Sequence, residues 1–148
     1  MIRTDFPYPI TILENVWIPL SDGARLAARI WLPQSAPDQP VPALLEYIPY
    51  RKSDYTSGRD AKRQAYFAGY GYACVRVEMR GSGDSDGILY DEYLPQEHDD
   101  ALEVIEWIAR QSWCDGNIGM HGISWGVFNS LQIAAREPPH LKAIMAIG

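Results

Sequence analysis

The sequence predicts an α/β fold: a mostly parallel central sheet with an antiparallel starting hairpin and helices on both faces. Three observations carry that expectation. Short apolar runs rich in β-formers alternate with helix-length segments from residue 43 onward, the pattern of parallel strands joined by crossover helices. Near the start, two strand-like runs flank Ser21-Asp22-Gly23-Ala24, and Asp-Gly supplies the positive φ that a tight hairpin demands. The chain has 148 residues, 47% hydrophobic and 22% charged, an ordinary globular composition with length for one core rather than two.

The elements follow in order. Residues 1–10, with Pro7 and Pro9, read as an extended arm. Glu14 to Pro19 and Arg25 to Leu32 form the hairpin, the second run setting Leu26, Ala28, Ile30 and Leu32 on one face and Arg25, Ala27, Arg29 and Trp31 on the other. Pro33 to Pro42 holds four prolines and is a loop, not a domain linker, because neither side is large enough to fold alone. Ala43 to Ile48 is a strand, Arg59 to Ala68 a helix stopped by Gly69 and Gly71, and Tyr72 to Met79 a strand. Gln96 to Gln111 is the clearest helix, with Ala101, Ile105, Ile108 and Ala109 on one stripe and acids on another. Ile118 to Gly122 (strand), Trp125 to Arg136 (helix) and Leu141 to Ile147 (strand) complete the series. Residues 1–148 are thus expected to form a single domain, with no internal repeat.

Charge narrows the function classes. The net charge is −6, and residues 81–109 hold nine acids and no Lys or Arg, leaving 13 bases against ten acids elsewhere. With no basic patch, neither nucleic acid nor an anionic membrane is expected as a partner. The acidic stretch is expected to be a solvated loop and helix face. No apolar run reaches the roughly 18 residues of a membrane span, and the first residues lack the basic-then-apolar pattern of a signal peptide. Cys74 and Cys114 cannot make a disulfide framework, and Cys74, in an apolar strand, reads as a buried structural thiol. The expected location is cytoplasmic.

The residues that carry chemistry are Gly122-Ile123-Ser124-Trp125-Gly126, placed where a predicted strand meets a predicted helix. A nucleophile on a sharp strand-to-helix turn takes a strained backbone conformation, and glycines two positions either side keep neighbouring atoms clear. Ser124 Oγ would project over the carboxyl edge of the sheet, with the helix N-terminus facing any oxyanion formed there.

Four segments leading to this turn resemble the X-Pro dipeptidyl-peptidase and cocaine esterase group of α/β-hydrolases. They are Ser21-Asp22-Gly23-Ala24-Arg25-Leu26, Pro49-Tyr50-Arg51-Lys52, Arg80-Gly81-Ser82-Gly83-Asp84-Ser85-Asp86-Gly87, and Trp113-Cys114-Asp115-Gly116-Asn117-Ile118-Gly119-Met120. The resemblance implies the amino-terminal part of an α/β-hydrolase fold and a serine hydrolase of carboxylic ester or amide bonds. Ser124 matches the nucleophile, the Trp125 backbone N–H one oxyanion donor, and the Tyr50 hydroxyl the other. A phenol of pKa about 10 can donate to a developing alkoxide without ionising at neutral pH. The substrate class implied is a small ester, an amide or a peptide; no cofactor or metal is implied. Two positions depart from the family pattern. Trp125 stands where Tyr is common, which bears on pocket shape, and Val127 stands where a second glycine is frequent.

A serine nucleophile needs a base, and in α/β-hydrolases the acid and histidine follow it in the chain. After Ser124 come 24 residues with one acid, Glu137, and one histidine, His140. Both lie in a turn at the far end of a helix, about 15 Å away for ten residues. His121 precedes the elbow within its strand and should point away from it, and the family gives His98 no role. The resemblance places the triad acid and base, a helical cap and a carboxy-terminal β-domain beyond Gly148, so this chain by itself is expected to be inactive. A competing class is a truncated or split fragment acting only by association with a complementary chain, since Leu141, Ala143, Ile144, Ala146 and Ile147 would leave an apolar edge open to self-association. Nucleotide binding at Gly81-Ser82-Gly83 fails because Asp86 replaces the third glycine. Calcium binding at Asp84 and Asp86 fails because Ile88 offers no oxygen ligand.

Overall fold

The computed structural model describes residues 5–148, so the first four residues of the predicted arm lie outside the described part. From residue 5 the arm runs to β1 (Ile10–Pro19), which pairs antiparallel with β2 (Arg25–Pro33) across the Asp22-Gly23 turn. The arm is anchored on the next helix: the Tyr8 N–H donates to Gly69 O, and the Phe6 ring meets Tyr66 and Tyr70. β3 (Val41–Ile48), α1 (Ser57–Gly69), β4 (Ala73–Glu78), α2 (Pro95–Ala109), β5 (Cys114–Ile123), α3 (Trp125–Ala134) and β6 (Leu141–Ile147) follow. The expected elements are all present. β1 starts four residues earlier than expected and shifts register between Leu13 and Val16, and β5 also starts four residues early.

The six strands form one sheet in the order β1-β2-β4-β3-β5-β6. β4–β3, β3–β5 and β5–β6 are parallel, and β2 meets β4 antiparallel. On one face Ala101, Val104, Ile105 and Ile108 of α2 and Ile133 of α3 join Ile30, Leu45, Val75, Val77 and Ile118 in the main core. On the other, Ala68 of α1 packs with Trp31 and Cys74. The predicted two faces of β2 are therefore both buried. Cys74 is fully buried, as its strand position suggests, and burial pushes its thiol pKa upward.

The acidic stretch is not a solvated face throughout. Glu97 and Asp100 lie buried on the inner side of α2 beside the apolar stripe. Asp100 accepts two bonds from Arg80, at 2.8 Å each, and one from Gln96 at 2.8 Å. Bidentate pairing with a guanidinium offsets much of the cost of taking a carboxylate out of water. Asp84 pairs with Lys52 and Asp86 with Arg25, so both proposed calcium candidates already hold cations of the chain itself.

The glycine-rich turn after β4 also has an internal use. It folds over the buried Glu78 carboxylate, which accepts the Asp84 N–H at 2.8 Å and the Lys52 N–H at 2.6 Å. Gly83 has φ +55°, and a Cβ there would come within 2.2 Å of Glu78 Oε1. A loop of the kind that cradles phosphate elsewhere is filled here by a side chain of its own strand.

Candidate active site

The site is built at the carboxyl ends of β3 and β5. β5 runs straight into Ser124, whose φ of +58° and ψ of −120° are costly for a residue with a Cβ, of order 1–3 kcal/mol. The turn closes only because of its small neighbours: a Cβ on Gly122 would lie 2.3 Å from the Gly126 carbonyl carbon. Gly126 in turn sits against Ile48, where a Cβ would meet Cγ2 at 2.9 Å. Ser124 occupies the N-cap position of α3, yet its side chain caps nothing. Ser124 is exposed to solvent.

Trp125 is the first residue of α3, so its backbone N–H is one of the donors that a helix N-terminus leaves without an internal acceptor. The Tyr50 hydroxyl donates to Ser124 Oγ at 3.3 Å, long for a hydroxyl pair. A substrate carbonyl oxygen can compete for that phenol. The structure thus brings together Ser124, Tyr50, Trp125 and the two elbow glycines, from segments 74 residues apart in sequence.

What aims Tyr50 was not foreseen from the sequence. The Pro49–Lys52 loop is held on both sides by two buried charges of β4. Arg76 donates to the Tyr50 carbonyl, to Ile48 O at 3.4 Å and to Val77 O at 3.0 Å, while Glu78 takes the Lys52 N–H and Nζ. Arg76 is fully buried and balanced by Asp60 at 3.2 Å and Glu46 at 3.5 Å. Register pairs Glu46 of β3 directly with Arg76 of β4. Burial lowers the pKa of Arg76 and the two carboxylates raise it. The signal was in the sequence: Glu46 inside one apolar strand run, and Arg76 with Glu78 inside another.

The second elbow helix turn is fixed likewise. Asn129, buried, donates to Tyr47 O at 3.0 Å, and Ser130 Oγ donates to Gly126 O at 2.7 Å. A cavity of about 350 Å³ is walled by Tyr47, Ile88, Leu89, Tyr90, Leu94 and Glu97, and no elbow residue lines it.

The three histidines are engaged elsewhere. His98 Nε2 meets Gln132 Oε1 at 2.9 Å, His140 Nδ1 meets Gly116 O at 3.0 Å, and His121 lies buried against Phe67 on the α1 face. His140 is thus tied to the start of β5, the opposite end of that strand from Ser124. Burial pushes the His121 pKa down.

A strained serine between strand and helix at the carboxyl edge of a mixed sheet places this chain in the α/β-hydrolase class. The profile of the X-Pro dipeptidyl-peptidase (S15) family matches residues 22–148, and the chain belongs to that family of esterases and dipeptidyl-peptidases. It is 37% identical over 137 residues to a cocaine esterase of Rhodococcus sp. (strain MB1 Bresler), covering 90% of this chain and 23% of that one. Among solved structures, a CocE/NonD family hydrolase from Staphylococcus aureus superposes with a TM-score of 0.79 at 28% identity, over 91% of this chain and 27% of that chain. An α-amino acid ester hydrolase does so with a TM-score of 0.74 at 27% identity, over 99% and 26%. The chain spans about a quarter of the length of these relatives. No helix among the described residues is long and apolar enough to cross a membrane.

Proposed function

We propose that Ser124 is the nucleophile of a serine hydrolase that cleaves carboxylic ester or amide bonds through an acyl-enzyme. Ser124 Oγ attacks the substrate carbonyl carbon, and the oxygen that gains charge is held by the Trp125 N–H and the Tyr50 hydroxyl. Loss of the leaving group gives the acyl-enzyme, which water then hydrolyses. The observation that carries this reading is the Ser124 backbone, held in a costly conformation with its Oγ exposed and bonded, among the described residues, to Tyr50 alone. Two of the similar proteins, a cocaine esterase and an α-amino acid ester hydrolase, favour a small ester as substrate.

In this reading the triad acid and base, the cap and a further β-domain lie in sequence beyond Gly148, and the chain of 148 residues is catalytically incomplete. Loss of the histidine of a comparable triad costs on the order of 10⁶ in turnover. The test is fluorophosphonate labelling with intact-mass detection, on residues 1–148 and on the longer gene product. Labelling of the longer form alone, abolished by Ser124→Ala, is the expected result. Tyr50→Phe in the longer form should lower kcat about 10²–10³-fold, the effect of removing one oxyanion donor. Steady ester turnover by residues 1–148 would overturn the incompleteness, and labelling that survives Ser124→Ala would overturn the nucleophile.

A further inference from the structure

Tyr50 is aimed by Arg76 and Glu78; the other oxyanion donor has its own anchor. The Trp125 indole Nε1–H donates to Glu97 Oε2 at 3.2 Å, and Glu97 Oε1 accepts the Tyr93 backbone N–H at 2.9 Å. Tyr93 sits at φ +60°, its ring 5.5 Å from that of Trp125 and 4.9 Å from that of Phe128. One carboxylate therefore joins α2, the segment before it and the first turn of α3.

Glu97 is only 4% exposed. Burial raises its carboxyl pKa, while the bonds from Trp125 and Tyr93 pull it back down. A glutamate in the first turn of a helix commonly reaches back to a backbone N–H as a cap, which accounts for the bond to Tyr93. Capping does not require burial, nor does it account for the second oxygen ending on an indole of another helix. That oxygen is spent on the residue that heads α3.

We infer that Glu97 is a positioning residue for the oxyanion site: by fixing the Trp125 indole it fixes the first turn of α3, and with it the Trp125 backbone N–H. Two side-chain torsions separate the indole from that N–H, so little slack intervenes. The consequence is large because misplacement of a catalytic group by about 1 Å can cost roughly 10²-fold in rate. This inference rests on the serine-hydrolase reading above.

The test is kinetic and uses the full-length gene product. Glu97→Leu should lower kcat for a p-nitrophenyl ester by roughly tenfold to hundredfold with KM changed by less than about threefold. Glu97→Gln, which keeps a carbonyl acceptor for the indole, should restore most of that loss. Trp125→Phe, which removes the donor and leaves the α2 cap in place, should resemble Glu97→Leu, and the double variant should be no worse than either single one. A Glu97→Leu enzyme within twofold of the parent, or losses that multiply in the double variant, would overturn the inference. Should Glu97→Leu fail to fold, Trp125→Phe decides: parental kcat overturns the inference and a tenfold loss at unchanged KM supports it. The ¹⁵N-indole resonance of Trp125 gives a readout independent of turnover, expected to shift in Glu97→Leu and to stay in Glu97→Gln. Persistence of turnover in Ser124→Ala would instead defeat the nucleophile assignment, while the indole shift would still report on the Glu97–Trp125 bond.

Discussion

β4 and β6 belong to one sheet, and the strand with more charge is the better buried. β4, Ala-Cys-Val-Arg-Val-Glu, is buried at every position, whereas no residue of β6, Leu-Lys-Ala-Ile-Met-Ala-Ile, is fully buried. Position in the sheet explains the inversion. β4 lies between β2 and β3 with helices over both faces, and its two charges are worth burying because each is multiply bonded and each holds the loop that carries Tyr50. β6 is the edge, with Met145 and Ile147 exposed at 49% and 40%. Polar residues in the middle of this sheet organise the site; apolar residues at its margin are the ones left in contact with water.

The comparison breaks most severely at Arg76. Arg76→Met takes the one fully buried cation from Asp60 and Glu46, leaving them Arg59 and Arg63, and frees the Tyr50 carbonyl. Because those two arginines remain, a stability loss of about 3 kcal/mol is expected, the lower end for removing one partner of a buried ion pair, read from urea unfolding. A loss under about 1 kcal/mol would mean that the β4 charges are dispensable to the fold.

A smaller effect is expected at His121, on the β5 face towards α1. Among the described residues its Nε2 has no hydrogen-bond partner, and burial lowers its pKa. The unfolded chain, with an ordinary pKa of about 6.5, therefore takes up the proton first as pH falls. This contribution to stability is complete above about pH 6.5 and is lost as pH drops below it towards the lowered folded value. Urea midpoints of the parent should decline from pH 7.5 to pH 5.5 more steeply than those of His121→Gln. Parallel declines would show that His121 is not the titrating group.

The smallest effect on stability is expected at the edge. Met145→Lys with Ile147→Lys should change the unfolding free energy by about 0.5 kcal/mol or less per site, because exposed positions away from specific contacts are tolerant. Self-association of residues 1–148 in sedimentation should fall at the same time, since charges blunt an open strand edge. Association that is unchanged, or absent already in the parent, would remove β6 as a contact surface.

Much of this molecule is legible in its sequence, and the physical reasons are local. Period-two alternation in Leu26–Leu32, the Asp22-Gly23 turn, and the proline content of residues 33–42 each act within a few residues, so their consequences could be read without a fold. The elbow belongs to that class in part: Gly122 is required by a contact with Gly126 inside the turn, whereas Gly126 is required by Ile48 of β3. The acidic stretch shows where local reading stops. Glu97 and Asp100 look like any helix acids, and their burial follows from Trp125 and Arg80, which lie 28 residues after one and 20 before the other.

By itself, then, the sequence determined the alternation of strands and helices and the position of the elbow serine, because hydrogen-bonding period and turn sterics are properties of neighbours in the chain. Only the tertiary structure decided that Tyr50 reaches Ser124 across 74 residues, that Arg76 and Glu78 aim it, and that Glu97 seats Trp125. Those are contacts between separate strands and helices, and whether a buried charge is an error or an anchor depends on which partner the sheet order brings beside it.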